Sequence, residues 1–148
     1  YSDLTIRENL EFVAGLFGIE NIYKTVNDIG TTFELGRIME TRIRYLSHGQ
    51  ARRVAIAKAF IHKPKLLLLD EPESGLDAIS LELLHEETNR LRSTGTTVLM
   101  TSHFFGTTNN ICDRVVILNN SKIICDKKLN EISSSEINRL ILKRNTGQ

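Results

Sequence analysis

The sequence predicts an α/β fold in which a helical subdomain packs on half of a parallel sheet. Three observations predict it. Helical periodicity dominates residues 1–62, a continuous apolar run at Leu66–Leu69 breaks that pattern, and strands alternate with helices thereafter. A length of 148 residues, 41% hydrophobic and 25% charged, suits one globular domain or a large piece of one.

Residues 3–17 predict an amphipathic helix. Thr5 and Glu8 have capping-box spacing, and Ile6, Leu10, Val13 and Phe17 fall on one face before Gly18 stops the helix. A second helix is predicted over 20–34, with Ile22, Val26, Ile29 and Phe33 on its apolar side. A third runs from about Gly49 to His62 and is closed by Pro64. Leu66–Leu69 predicts a strand buried on both faces, and Thr96–Thr101 a second. Between them, 78–92 predicts a helix with Ile79, Leu83 and Leu91 inward. A short helical stretch up to Ile111 follows the second strand. Arg114–Leu118 and Lys122–Asp126 flank Asn119–Ser121 as an antiparallel hairpin, and Glu136–Leu142 predicts a serine-capped helix.

Charge and cysteine content exclude several classes. A formal net charge of +1 carries no signal for nucleic acid or an anionic membrane surface. The locally basic stretch Arg52, Arg53, Lys58, Lys63 and Lys65 is expected to be a solvated helix face and its exit. Cys112 and Cys125 lack zinc-ligand spacing and, set among apolar neighbours, are expected to be small buried free thiols of an intracellular protein. No apolar run approaches the roughly 18 residues that cross a bilayer, and no signal-peptide organisation is visible.

The chemistry lies in four short segments. LLLLDEP delivers Asp70 and Glu71 to the C-terminal end of a strand, where ligands bind in open α/β sheets. On a strand, successive side chains point to opposite sides, so one carboxylate can hold a hydrated Mg²⁺ while the other orients and deprotonates water. LSHGQ, at 46–50, opens a helix whose free N–H groups and dipole favour phosphate, with Ser47 adding a hydroxyl and Gln50 at the helix start. SGLD, at 74–77, places Asp77 as the N-cap of the next helix. The second strand brings Ser102 and His103 to the edge that carries Asp70, where a histidine can donate to a phosphate oxygen. His62 and His85 are expected to be hydrogen-bonded structural residues.

In this order and spacing the four segments resemble the nucleotide-binding domain of the ABC ATPases: signature motif, Walker B strand, D-loop and switch histidine. LTIRENLEF (4–12) and CDRVVIL (112–118) extend the resemblance over nearly the whole chain. It implies the C-terminal part of a P-loop NTPase (RecA-like) core with an α-helical signature subdomain. The organisation implied is 1–62 for that subdomain, 63–132 for the C-terminal half of the core, and 133–148 for a tail. By resemblance Asp70 positions Mg²⁺, Glu71 is the general base, and His103 contacts the γ-phosphate. Ser47, Gly49 and Gln50 reach an ATP held by a second, facing nucleotide-binding domain, and Asp77 lies at the dimer seam. The partners implied are that second domain and a membrane permease, with no nucleic acid, at the cytoplasmic face of a membrane. The opening segment is most like ATPases of export systems.

Four departures stand out. No GxxxxGK[ST] occurs in the 148 residues, which suggests truncation and predicts weak ATP binding by the chain alone. The missing core strands would leave apolar strand surface exposed. His48 stands where the signature motif usually has glycine, Asn109 replaces a frequent acid, and Ser121 a frequent hairpin glycine. Alternative readings are a regulatory fragment without ATPase activity, or an ABC protein of translation or DNA repair. The 45 residues before LSHGQ carry no heptads, which argues against the repair proteins.

Overall fold

A computed structural model describes residues 1–103 and 111–142. The chain divides into two compact units, Tyr1–Thr101 and Ser102–Gln148.

In the first unit, α1 (Ile6–Leu16) starts at the predicted capping box: the Glu8 N–H donates to Thr5 Oγ1 at 3.1 Å and the Thr5 N–H to Glu8 Oε2 at 2.7 Å. Its buried stripe is Ile6, Leu10 and Ala14, and Gly18, at φ 66°, ends it as expected. Phe17 departs from the predicted stripe. It is exposed beyond the helix and lies flat on the ring of His62, with centroids 3.7 Å apart. α2 (Ile22–Thr32) buries Val26 and Ile29, and Phe33 just past its end meets Phe60 edge-to-face at 5.6 Å. α3 (His48–Phe60) contributes Val54, Ile56, Ala57 and Phe60 to the same core.

β1 (Leu66–Asp70) and β2 (Thr97–Thr101) pair in parallel, with Leu66 opposite Thr97 and Asp70 opposite Thr101. Burial on both faces is not what the strands show. Leu67 and Leu69 are buried, whereas Leu66, Leu68 and Leu99 are more than half exposed. The physical reason is that the pair is packed on one side only, by the core that includes α3 and α4 residues. This is the exposed strand surface expected where core strands are missing. α4 (Ala78–Ser93) buries Leu91 as predicted, but over its first two turns the inward side falls one residue later than predicted, at Ser80 and Leu84 in place of Ile79 and Leu83. Its buried stripe is Ser80, Leu84, Thr88 and Leu91, while Ile79 is 57% exposed. Two polar residues inside the stripe disguised its phase.

The second unit holds β3 (Arg114–Asn119) and β4 (Lys122–Lys128), antiparallel around a turn at Asn120 and Ser121, which adopt φ 46° and 59°. Both positive values belong to the turn class that suits strand twist, reached here without glycine. Arg114 clamps Asp126 across the hairpin with two hydrogen bonds, of 2.7 and 2.9 Å. α5 (Ser134–Leu142) packs Ile137 against Cys125 and Ile132, and the Ser133 hydroxyl accepts from the Glu136 N–H as the predicted cap. Neither cysteine is in a disulfide; Cys125 is buried, but Cys112 is only half-buried. The predicted helical stretch before Ile111, with Asn109, lies outside the described residues.

His62 and His85 are structural, but not hydrogen-bonded as expected. His62 Nδ1 and His85 Nε2 are buried without a hydrogen-bond partner among the described residues. Burial lowers both imidazoles below their ordinary range, partly offset for His85 by Glu73.

Two predictions follow from this packing. Phe60→Ala removes a ring that is 1% exposed and should cost about 3–5 kcal/mol, read from urea unfolding midpoints. Because the folded state favours neutral imidazoles, their contribution is complete above the unfolded value of about 6.5 and is lost as pH falls through the lower folded values. The melting temperature should therefore drop between about pH 7 and pH 5. His62→Phe, which keeps the stack and removes the titration, should shrink that drop. The lowered carboxyls Glu8, Asp77 and Asp126 titrate in a more acidic window.

Candidate functional site

The acids sit where the parallel pair ends. Asp70 is the last residue of β1 and is exposed. Its Oδ1 accepts a short hydrogen bond from the hydroxyl of Thr101, the last residue of β2. That hydroxyl also accepts from the Glu71 N–H at 3.1 Å, so one threonine fixes both acids at the sheet edge.

Glu71 differs from the sequence expectation. It does not extend the strand; its backbone turns to φ 43°. The two carboxylates are separated by this turn and not by strand alternation. A left-handed glutamate costs roughly 1–2 kcal/mol, and such strain gathers at functional positions.

Arg52, in the second turn of α3, holds the turned backbone. Its Nη2 donates to the carbonyl of Asp70 at 3.1 Å and of Glu71 at 2.6 Å. Arg53 is also not a solvated face residue. Its side chain is 16% exposed and lies 3.6 Å from Asp77 Oδ2 and 3.8 Å from Glu34 Oε2. Sequence reasoning missed both arginines because a basic pair at a helix start is commonly solvated. Their spacing to the acids exists only once α3 lies on β1.

The LSHGQ segment forms a complete capping box. The Gln50 N–H donates to Ser47 Oγ at 3.3 Å and the Ser47 N–H to Gln50 Oε1 at 3.0 Å. α3 thus begins at His48, one residue earlier than predicted. The N–H groups of His48 and Gly49 have no partner among the described residues. They form the open donor pair of this helix end.

Asp77 is the N-cap of α4: its Oδ1 accepts from the Ser80 N–H at 2.8 Å. Hydrogen bonds from Ser80, helped by Arg53, hold its carboxyl below the usual carboxylate range. Ser47, Gly49, Gln50, Asp70, Glu71 and Asp77 therefore all lie in the first unit, linked through α3. His103 follows β2 by two residues, is exposed and belongs to the second unit. Among the described residues, no cluster of three or more histidine, cysteine or acidic side chains forms a closed metal cage.

Arg52→Ala should cost about 1.5 kcal/mol in urea unfolding, the low end for hydrogen bonds from a charged donor. Lys65→Ala, at an exposed position, should change stability by less than about 0.5 kcal/mol.

Comparison with known proteins bears on the family. The family model described as ABC transporter matches residues 1–74. The ABC transporter ATP-binding protein YhaQ of Bacillus subtilis is 34% identical over 138 residues, covering 91% of this chain and 46% of YhaQ. The solved ATP-binding subunit of an ABC transporter superposes with a TM-score of 0.88 at 25% identity, over 99% of this chain and 64% of that one. An ATP-binding cassette solved as a dimer in a post-hydrolysis state, bound to ADP and Pi, gives a TM-score of 0.75 at 26% identity, over 87% of this chain and 58% of that one. The chain spans about half the length of the curated relatives it matches. A family match over half of the chain, with a likeness in fold that runs through nearly all of it, makes this protein a member of the ABC transporter family, on its ATP-binding side.

Proposed function

We propose that this chain supplies the signature loop, Walker B acids and D-loop of an ATPase that powers movement of a substrate across a membrane. The observation that carries the reading is the arrangement of Asp70 and Glu71 at the sheet edge, pinned by Thr101 and Arg52.

The residues present fit ATP and Mg²⁺. Asp70 offers an exposed carboxylate with one oxygen oriented by Thr101, suited to a hydrated Mg²⁺, which would neutralise phosphate charge when bound. Glu71 is the group that takes the proton from attacking water. The open N–H groups of His48 and Gly49, with Ser47 beside them, suit a phosphate oxygen presented by a second nucleotide-binding domain, with Gln50 fixing the loop. Asp77 lies at the seam between the two domains, and His103 contacts the γ-phosphate. The dimer bound to ADP and Pi among the similar structures supports this pairing.

No GxxxxGK[ST] occurs in the 148 residues. The reading therefore applies to the longer polypeptide or complex that provides the phosphate cradle. A permease is the membrane partner, met at the cytoplasmic face; no described helix is long and apolar enough to cross a membrane. Export is the direction we favour, from the likeness of residues 4–19 to ATPases of export systems.

The test is Glu71→Gln in the full-length protein. Phosphate release should fall by about 100-fold or more while ATP binding persists. Unchanged turnover in that variant would sink the assignment of Glu71 and the reading built on it.

A further inference from the structure

His48 occupies the place in the LSHGQ segment where glycine is usual, and the proposed reaction gives its side chain nothing to do. The structure places that side chain on the D-loop of the same chain. Gly75, inside SGLD, holds φ 75°. A Cβ added there would lie 3.0 Å from His48 Cδ2 and 3.1 Å from His48 Nε2, so the imidazole fills the space that any side chain at position 75 would need. A Cβ on Gly49 would lie 3.6 Å from the Gly75 carbonyl oxygen, so the next residue of α3 also faces this loop. One turn further, Arg53 reaches Asp77 at 3.6 Å. The loop from Ser74 to Asp77 is thus held at its middle by His48 and at its end by Arg53.

We infer that His48 is a positioning residue: its ring braces the D-loop against the first turn of α3, so that the signature loop and Asp77 are presented as one rigid surface. This rests on the ATPase reading for its consequence, though the brace itself does not. A glycine at position 48 would leave Gly75, with its wide backbone freedom, without a neighbour to confine it. The ring restricts that freedom by packing alone, and a phenyl ring of similar shape would serve as well. A histidine acting instead as a cationic donor to phosphate would be replaceable by lysine and not by phenylalanine.

Two measurements on the full-length protein decide the matter. The first is a double-mutant cycle in thermal unfolding without nucleotide, using His48→Ala, Gly75→Ala and both together. Gly75→Ala introduces a left-handed alanine and a clash with the imidazole, and His48→Ala relieves only the clash. The double variant should therefore melt higher than the sum of the two single shifts requires, and additive shifts would overturn the brace. The second is ATP turnover. His48→Ala should lower kcat about tenfold, as small misplacement of a reacting surface does, with KM for ATP changed less than about twofold. His48→Phe should restore kcat and His48→Lys should not. An unchanged kcat in His48→Ala, or rescue by lysine alone, would overturn the positioning role even if the cycle is non-additive. A wild-type protein that hydrolyses no ATP would defeat the ATPase reading, and the positioning role with it. The unfolding cycle would still report on the brace.

Discussion

The docking of α3 on β1 is the constraint on which the rest of the first unit depends. One side of α3 is apolar: Val54, Ala57 and Phe60 are buried in the core shared with α1, α2 and β1. That burial is non-directional and would tolerate some sliding. The arginines remove the freedom. Arg52 donates to two successive carbonyls at the end of β1, and Arg53 stands between Glu34 and Asp77. A shift of α3 by one residue along its axis, about 1.5 Å, would break these contacts together. The capped start of α3 is thereby placed relative to both the acids and the start of α4.

The same contacts account for the persistence of an unfavourable backbone. Glu71 at φ 43° would relax to extended geometry if left alone. It is held because its N–H donates to Thr101 and its carbonyl accepts from Arg52, one partner from β2 and one from α3. Two hydrogen bonds, one from a charged donor, are of the size needed to offset roughly 1–2 kcal/mol of strain. The side chain that results leaves the sheet edge in a direction no regular strand would give it. Thr101 is the economical element here, since its hydroxyl serves Asp70 and Glu71 at once.

Much of this was readable in the sequence, for local reasons. The capping box Thr5/Glu8, the stop at Gly18, the cap Asp77 and the cap Ser133 are decided within a few residues, and spacing shows them directly. The site segments were visible as a family resemblance for the same reason: their order along the chain carries it. What the sequence could not show depends on distant partners. The phase of α4 was misjudged because Ser80 and Thr88 are buried beside Leu84 and Leu91. The exposure of Leu66, Leu68 and Leu99 was, by contrast, expected from the family resemblance, although the apolar run itself reads as a strand buried on both faces. The roles of Arg52, Arg53 and His48 require α3, β1 and the SGLD loop to be in place, since the partners of Arg52 and Arg53 lie 18 to 24 residues away in the chain, and Gly75 lies 27 from His48.

The central claim is that the capped start of α3 and Asp77 form a face that closes on nucleotide held by a second copy of the domain. The most direct measurement is the mass of the full-length protein carrying Glu71→Gln, by light scattering on a sizing column with and without ATP and Mg²⁺. The account predicts monomers without nucleotide and dimers with it, and it predicts that Ser47→Arg, which places a bulky side chain at the seam, abolishes the dimer while leaving the monomer folded. A protein that binds ATP yet stays monomeric, or a dimer indifferent to Ser47→Arg, would contradict it.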